Sequence, residues 1–437
     1  MIPFPRFVSI VPLCFVLLLS AASASAATTV NHGSCDIGIA PAATLLLPYF
    51  DVADSRTGEG TIFTVTNVTS MFQVGRVTLW TDFAYPILSF DLFFEPYEVR
   101  RINLYDVIWQ GVLDPGGEDS ICGPNTLPEG TAARVRRAFR DGVATPTATQ
   151  AGCNSVGGIH TNAVGYATID VVGSCASGTT PLDERHFAED LRFDNVFIGD
   201  YQQVNSSQNF AQGSPMVHIR AVPEGGTPQS RRNNPNRYAN DFPRTFYGRF
   251  QDPAHPTADA RQPLPTTFAV RWINGGLGAF QTSFRIWREA GSDPDGGCLA
   301  YRKNGQMTLR ETIVFDEDDN AEGTYAHEPC PAFCVGTEPI VLPATSLTSL
   351  ADAEVFPQEI IDTAVSGWIY FNLGLTEAHN TPIQGWVVAS MRAEGRYSVD
   401  FDAAVLGNGC TPLIPLTVFS EGGVRAVLPG PAADFIP

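Results

Sequence analysis

Apolar and polar residues alternate along most of this chain, with the side-chain period of two that is typical of half-buried β-strands. In TIFTVTN at 61–67, Phe63 and Val65 share one face, and in LSFDLFF at 88–94 every second residue is leucine or phenylalanine. The pattern returns after residue 266 in TTFAVRW, SFRIW, GWIYFNL and GRYSVDFDA. Many short strands separated by turn clusters predict an all-β fold of Ig-like β-sandwiches.

Helical periodicity is confined to two short segments. In TAARVRRAFRDG at 131–142, Val135 and Phe139 lie one helical turn apart. The segment TPLDERHFAEDL at 180–191 starts with a threonine that can act as N-cap, followed by a proline at the first helical position. We therefore expect one or two short helices in an otherwise β-rich protein.

The length and the changes in composition predict two domains. The chain has 437 residues, more than the roughly 250–300 at which one core usually stops growing. Between residues 224 and 266 the strand pattern stops, and arginine, proline and aromatic residues become frequent. This connector is expected to pack onto its own domains. The predicted division is signal peptide 1–26, N-terminal β-sandwich 27–223, connector 224–266 and C-terminal β-sandwich 267–437.

A weak similarity between two segments of the sequence, which we call the internal echo, favours duplication of one sandwich. TIFTVTN…RVTLW contains Phe63 and Trp80, and TFAVRWIN…SFRIW contains Phe268 and Trp287 at a similar spacing. Any two strand pairs of sandwiches share part of this pattern, so chance similarity stays open. Both tryptophans have the parity opposite to their core neighbours. We expect them to pack on the outer sheet face or under a loop.

The N-terminus and the charge indicate export. Arg6 is followed by an apolar run from Phe7 to Leu19 and by Ala24-Ser25-Ala26, which predicts a secretory signal peptide cleaved near Ala26. The run is too short to span a bilayer, so a secreted or periplasmic protein without a membrane span is expected. The formal net charge of −19 disfavours nucleic acid as a partner.

The cysteines predict disulfide bonds. Cys14 lies in the signal peptide, and the eight others are expected to pair in the oxidising compartment outside the cytoplasm. Four precede residue 180 and four follow residue 290, so each half can pair its own. The predicted disulfide cysteines are Cys35, Cys122, Cys153, Cys175, Cys298, Cys330, Cys334 and Cys410.

HEPCPAFC at 327–334 is the segment closest to a chemical motif, and it has three interpretations. His327, Cys330 and Cys334 could be ligands of zinc. A redox pair is disfavoured because the spacing is C-x-x-x-C. On grounds of compartment we favour disulfides, with Cys330 and Cys334 each bonded to Cys298 or Cys410. A bond directly between Cys330 and Cys334 is the less favoured alternative, because Pro331 and the short gap would strain the ring.

The acidic segment FDEDDNAEG contains Asp316, Asp318 and Asn320 at alternate positions and is a weak calcium candidate. It departs from an EF-hand loop, because Ala321 stands where glycine is needed and the flanking residues resemble strands. A solvated acidic hairpin turn is the preferred interpretation. Apart from this calcium candidate, no cofactor is expected.

Signatures of several enzyme classes are missing from the sequence. It contains no G-x-S-x-G, no H-E-x-x-H and no P-loop. The scattered histidines at 160, 186, 218 and 379 are expected to be structural. The predicted function is therefore a secreted non-enzymatic binding or structural protein, whose partner is an extracellular protein or glycan. The alternative is a secreted hydrolase, most plausibly a glycosidase using two carboxylates that the sequence does not single out.

Two regions resemble uncharacterised secreted bacterial β-rich proteins. They are TLLLPYFDV…TIFTVTN…VTLWTD at 44–82 and NFAQGSPMVHIRAV at 209–222. The resemblance implies secretion and β-structure. It brings no known activity and no catalytic residue.

Overall fold

The structure is a computed structural model of the 437-residue chain. It describes residues 37–113, 121–143, 156–175, 186, 190–221, 261–276, 279–289, 306–308, 311–325, 341–373, 384–393, 397–406, 419–420 and 424–425. We call residues 44–221 the first half and residues 267–425 the second half.

The first half forms two antiparallel sheets, as the alternating pattern predicts. Sheet A has the strand order β5-β2-β7-β8, and sheet B has the order β4-β3-β6-β1-β9. The strands are β1 Thr44–Val52, β2 Glu59–Asn67, β3 Gln73–Thr81, β4 Pro86–Phe94, β5 Val99–Asn103, β6 Ala163–Val172, β7 Phe197–Asn205, β8 Phe210–Pro215 and β9 Val217–Ile219.

The second half forms two further antiparallel sheets. Sheet C has the order β16-β11-β18-β19, sheet D has the order β14-β13-β17-β10-β20, and β12-β15 and β21-β22 are separate pairs. The strands are β10 Thr267–Ile273, β11 Phe280–Arg288, β12 Gln306–Thr308, β13 Glu311–Asp316, β14 Ala321–Tyr325, β15 Val341–Pro343, β16 Thr345–Ser349, β17 Ser366–Asn372, β18 Gly385–Ala393, β19 Tyr397–Asp402, β20 Ala404–Val405, β21 Phe419–Ser420 and β22 Val424–Arg425.

The predicted helix at 131–142 is confirmed as α1, Glu129–Asp141. It buries Val135 and Phe139 and ends at Gly142, whose φ of 66° is the left-handed conformation that glycine adopts without strain. A second helix, α2 at Gln358–Thr363, was not predicted. Single turns of π-helix and 3₁₀-helix occupy Asp106–Gln110 and Ser206–Gln208. Most of the predicted helix at 180–191 lies outside the described residues.

The two halves repeat one strand topology. In chain order, β1 to β9 of the first half correspond to β10, β11, β13, β14, β16, β17, β18, β19 and β20 of the second. With this correspondence the order of sheet A becomes that of sheet C, and the order of sheet B becomes that of sheet D. α1 and α2 also correspond, because each precedes the central strand of its sheet, β6 and β17.

Individual hydrogen bonds support the correspondence between β2 and β11. The Thr61 hydroxyl donates to the Asp51 carbonyl at 3.1 Å and accepts the Asp51 N–H at 3.3 Å. The Thr282 hydroxyl makes the same two bonds with Ile273, at 2.8 and 2.9 Å. Thr61 and Thr282 therefore occupy the same position in the two halves.

A close backbone contact supports the correspondence between β6 and β17. A Cβ at Gly165 would lie 2.2 Å from the Trp80 carbonyl oxygen, and a Cβ at Gly367 would lie 1.8 Å from the Phe315 carbonyl oxygen. Both contacts are too close for any residue except glycine. Gly165 with Trp80 therefore corresponds to Gly367 with Phe315.

The internal echo in the sequence is shifted by one strand relative to this correspondence. Because Thr61 corresponds to Thr282, Phe63 corresponds to Phe284 rather than to Phe268. Trp80 corresponds to Phe315 rather than to Trp287. Neighbouring strands of one sandwich share the same alternation, so the sequence similarity joined strands that do not correspond, and the repeat rests on the strand topology instead.

Sheets B and C lie in the middle of the described structure and are buried on both faces. One apolar cluster fills the space between sheets A and B. A second extends from Leu46 and Trp80 of sheet B through sheet C to Phe371 of sheet D. Trp80 and Trp287 are 0% and 3% exposed, and both belong to this second cluster.

The described end of the connector, residues 261–266, packs onto both halves. Arg261 forms a β-bridge with Ala221 at the end of the first half. The Leu264 N–H donates to the Gln384 side chain at 2.7 Å, just before β18. The remaining connector residues lie outside the described part of the chain.

Candidate functional site

The junction between the halves is built from polar side chains of β7, β8, β11, β18 and β19. Arg285 donates to the Asp400 carboxylate at 2.7 Å and to the Gln203 side chain of the first half. Gln212 of β8 donates to Ser390 at 3.0 Å and to Asp400. Arg285 and Asp400 are fully buried, so this network ties the two halves together without solvent.

Charged groups with partial exposure lie at the rim of this junction. The Arg392 guanidinium is 3.8 Å from the Glu59 carboxylate and lies over the Phe210 ring at 4.1 Å. Burial, followed by the positive charge of Arg285, lowers the pKa of Arg392. The rim therefore presents a guanidinium and a carboxylate at the boundary between the halves.

Asp51 is the rim carboxyl group most suited to donating a proton. Burial raises the pKa of Asp51, and the charge of Glu59 raises it further. The Asn162 side chain donates to the Asp51 carboxylate at 2.7 Å and partly offsets both effects. A carboxyl group with a raised pKa stays protonated to higher pH, as a general acid must.

His160 lies near this rim and pairs with Asp82. Its Nε2 is 3.0 Å from the Asp82 carboxylate, which also accepts the Gly158 N–H at 2.9 Å. Asp82 is buried, whereas the His160 side chain is 28% exposed. The pair resembles the base and orienting carboxylate of many hydrolases, and it also fixes the loop after α1. Among the described residues, no serine, threonine or cysteine side chain is hydrogen-bonded to His160.

The first half contains a separate buried ionic network that includes the connector. Arg261 donates to the Asp170 carboxylate and to the Thr44 hydroxyl, both at 2.8 Å. His186 Nε2 lies 3.3 Å from the same carboxylate. Burial alone would raise the pKa of Asp170, but Arg261 and His186 outweigh it, and the pKa is lowered.

Arg76 extends this network toward the edge of sheet B. Its guanidinium forms two bonds with Asp91, at 2.8 and 3.0 Å, and one with Asp190 at 2.8 Å. Arg76 is 1% exposed. Buried charges are stable only when they are paired in this way, so this network is structural.

Apolar side chains are exposed at one end of the first half, in a group that we call the loop-tip patch (Met71, Phe72 and Tyr97). These residues are 66%, 61% and 66% exposed. The buried Asn67 side chain joins their two loops by donating to the carbonyls of Met71 and Glu95, at 2.7 and 2.9 Å. Tyr97 has φ of 59°, a conformation strained for an aromatic residue. Its N–H donates to Thr69, a bond that holds the loop.

The calcium candidates Asp316, Asp318 and Asn320 form a β-hairpin turn between β13 and β14. The Asp316 carboxylate accepts the N–H groups of Asp318 and Asn320, both at 2.9 Å, and the Asn320 side chain at 2.7 Å. The hydrogen bond from the Asn320 side chain is the main reason why the pKa of Asp316 is lowered. Calcium binding there stays a prediction.

The same turn occurs in the first half, where Thr81 corresponds to Asp316. Thr81 N–H donates to the Tyr85 carbonyl at 2.9 Å, and Asp316 N–H donates to the Asn320 carbonyl at 3.1 Å. The Thr81 hydroxyl accepts the Tyr85 N–H, as the Asp316 carboxylate accepts the Asn320 N–H. A threonine can thus hold this turn, so its acidic residues have a structural role without a metal. In the described part of the chain, no cluster of three His, Cys, Asp or Glu is arranged to hold a metal ion.

One predicted disulfide is seen. Cys122 is bonded to Cys175, two cysteines of the first half. The other six predicted disulfide cysteines, and the segment 327–334, lie outside the described residues. His379 also lies outside them, whereas His218 is buried and accepts the Gly199 N–H at 3.0 Å.

The sequence pattern did not identify the junction or the loop-tip patch. Arg285 and Asp400 are 115 residues apart, and each stands among alternating residues like those of any strand. The signal for the loop-tip patch was present in TSMFQ at 69–73, where two large apolar residues interrupt a polar turn. Turns are normally polar, so this interruption could have been noticed.

Among the described residues, no helix has both the length and the apolar character needed to cross a bilayer. No family model, no curated protein and no solved structure shows a significant match to this chain.

Proposed function

We propose that this chain is an exported, non-enzymatic binding or structural protein made of two disulfide-stapled β-sandwich (Ig-like) domains. The domains span residues 27–223 and 267–437, and the Arg/Pro-rich connector spans 224–266. A signal peptide cleaved near Ala26 delivers the protein to the periplasm or the cell exterior. The repeated strand topology supports the division into domains, and the Cys122–Cys175 bond supports an oxidising compartment.

The loop-tip patch is the observation that carries the binding function. Three large apolar side chains are exposed together on loops that the buried Asn67 holds in place. Exposed apolar groups and a strained Tyr97 backbone cost stability, so a benefit to the protein must offset them. Patches of this kind commonly mark interaction sites.

The partner that fits the loop-tip patch best is another extracellular protein. Methionine and aromatic residues are enriched in protein–protein interfaces. A loop whose backbone is already fixed loses little conformational entropy on binding. A glycan is the second possibility, because the Tyr97 ring could stack on a sugar.

Site-specific photo-crosslinking tests this function. A photo-reactive residue is placed at Met71 and, as a matched control, at Ile121, which is 73% exposed in a different loop. We expect one exported protein to be crosslinked from position 71 and not from 121. With that partner purified, Phe72→Ser should weaken binding at least about tenfold, and Ile121→Ser should leave it unchanged.

Equal crosslinking from both positions, or unchanged affinity of the Phe72→Ser variant, would contradict the proposal. Binding to a glycan array that is lost in Phe72→Ser would assign the loop-tip patch to a sugar instead.

A secreted glycosidase is the second candidate, and Asp51 is the observation that favours it. Its raised pKa suits a general acid, and Glu59 at the start of β2 would be the nucleophile or base. Tyr49 has its pKa raised by burial and by Asp51, so it remains a neutral hydrogen-bond donor there.

Release of reducing sugars from a panel of polysaccharides tests this second candidate. If the chain is a glycosidase, Asp51→Asn and Glu59→Gln should each lower the rate at least about 100-fold. Asp106→Asn, which removes a partner of the exposed Arg56, is the control and should keep full activity. Absence of any release by the wild-type protein would rule out the polysaccharides used and leave the binding function favoured.

A further inference from the structure

The way in which the two halves dock suggests how copies of the chain could dock. The outer face of sheet B carries Trp80 stacked on Tyr166, with ring centroids 5.6 Å apart and an interplanar angle of 2°. Trp287, on the outer face of sheet C, meets Tyr166 edge-on at 5.8 Å. The Thr345 hydroxyl of sheet C also donates to the Pro48 carbonyl at 2.6 Å. The outer face of sheet C is therefore docked on the outer face of sheet B.

The outer face of sheet D repeats the aromatic platform of sheet B. Phe315 and Trp368, which correspond to Trp80 and Tyr166, are stacked with centroids 3.9 Å apart and an interplanar angle of 2°. The strand register places Arg271 beside Trp368 in the same row. Trp368 is half-buried and the Arg271 side chain is 56% exposed. This row of sheet D therefore presents a stacked aromatic pair and a cation.

The outer face of sheet A is the counterpart of the docking face of sheet C. Because Thr61 corresponds to Thr282, Thr64 and Thr66 of β2 correspond to Arg285 and Trp287. Beside these threonines, the register places Val99 next to Thr66 and Arg101 next to Thr64. Val99 is 59% exposed and Arg101 is also exposed.

The two faces also match in charge. On sheet A, Asp200 accepts the Thr64 hydroxyl at 2.8 Å, so Arg101 and Asp200 flank Thr64 with opposite charges. On sheet D, Arg271 is paired with Glu317 of the adjacent turn. Each face therefore carries one exposed positive and one exposed negative side chain, so each charge can meet an opposite charge on the facing sheet.

We propose that the outer face of sheet A of one copy binds the outer face of sheet D of a second copy. The geometry is the one in which sheet C docks on sheet B within the chain. Such an interface is heterologous, because it uses a different surface of each copy, and it leaves one free face at each end. Association therefore continues into head-to-tail chains. The net charge of −19 opposes it at low salt.

Sedimentation of the full mature protein over a range of micromolar concentrations at physiological salt tests the proposal. Wild-type protein should form a series of species larger than a dimer. Val99→Asp on sheet A and Arg271→Glu on sheet D should each weaken association at least about 30-fold, since each puts an unpaired charge into the interface. Ile121→Asp, with similar exposure in an unrelated loop, should associate like the wild type.

Mixing the two defective variants gives the decisive observation. Arg271→Glu keeps an intact sheet A, and Val99→Asp keeps an intact sheet D, so an equimolar mixture should form dimers and nothing larger. Three results would overturn the proposal: a wild-type protein that stays monomeric, association that stops at a dimer, or a mixture that stays monomeric while wild type associates. Association that appears only after deletion of residues 407–437 would also overturn it, and would assign the face of sheet D to that segment.

Discussion

At the scale of single residues, buried charges have specific partners in this protein. Asp170 is fully buried, yet its pKa is lowered because Arg261 and His186 stabilise the carboxylate. Arg285 and Asp400 are likewise fully buried and paired. The stability of such pairs depends on both members being present, because a lone buried charge has no solvent to stabilise it.

Replacing Arg261 with leucine should lower the free energy of unfolding by about 3–5 kcal/mol, because the buried Asp170 carboxylate loses the cation that stabilises it. Denaturant unfolding measures this change. The matched control is Arg271→Leu, whose exposed pair with Glu317 should contribute little to stability. Equal effects of the two substitutions would show that Asp170 does not depend on Arg261.

His218 should make the protein less stable in acid. Burial lowers its pKa from 6.5 to about 4, and its ring accepts the Gly199 N–H. The unfolded chain therefore binds a proton at higher pH than the folded chain. The stabilising contribution is complete above pH 6.5, and it falls by about 3 kcal/mol as the pH drops from 6.5 to about 4.

Unfolding free energies of wild-type protein and of His218→Gln, measured across this pH range, isolate the histidine. Glutamine can accept the Gly199 N–H but does not titrate, so the difference between the two proteins should shrink or reverse on acidification. A difference that stays constant with pH would contradict the assignment.

At the scale of elements, the two halves use the same local devices at corresponding positions. Thr61 and Thr282 join β1 to β2 and β10 to β11 with the same pair of hydrogen bonds. Gly165 and Gly367 allow the central strand of each sheet to approach its neighbour. In both features the partner is a backbone group, so they are found at the same positions even where the other side chains of the two halves differ.

Gly165→Ala and Gly367→Ala should be similarly harmful, each lowering stability by about 3 kcal/mol or more, because the new methyl group overlaps a carbonyl oxygen. Gly130→Ala in α1 meets no atom within 4 Å. It should leave stability unchanged or raise it by up to about 1 kcal/mol. Thermal unfolding of the three variants makes the comparison, and a harmless substitution at only one of the two strand positions would count against the correspondence.

At the scale of the whole molecule, the repeated halves are not independent in their packing. One apolar cluster contains residues of both halves, from Leu46 and Trp80 to Phe371. The Arg285–Asp400 network crosses the same boundary through Gln203 and Gln212. The outer faces of sheets B and C are buried only because each is covered by the other half.

Calorimetric unfolding of the protein should therefore show one transition, with equal calorimetric and van't Hoff enthalpies. Asp400→Ala should lower the stability by about 3–5 kcal/mol, because Arg285 loses its buried partner, and the transition should remain single. Two separate transitions in the wild-type protein would show that the shared cluster does not couple the halves.

Local patterns predicted much of the secondary structure. The alternation in TIFTVTN, LSFDLFF and GWIYFNL corresponds to β2, β4 and β17, and the helical spacing of Val135 and Phe139 corresponds to α1. The turn at Asp316–Asn320 also follows from local chemistry, since aspartate and asparagine stabilise turns through their own backbone. These features depend on residues that are close in the chain.

By itself, the sequence determined the period of the strands and the β-rich class. The repeat of one strand topology in two halves became visible only in the tertiary structure. Only the tertiary structure decided that Trp80 and Trp287 are buried, that Arg285 pairs with Asp400, and that Trp80 corresponds to Phe315. An alternating pattern states which residues share a face, but it does not state which face meets solvent and which meets another sheet. That choice depends on contacts between residues far apart in the chain, and the junction and the faces of sheets A and D follow from it.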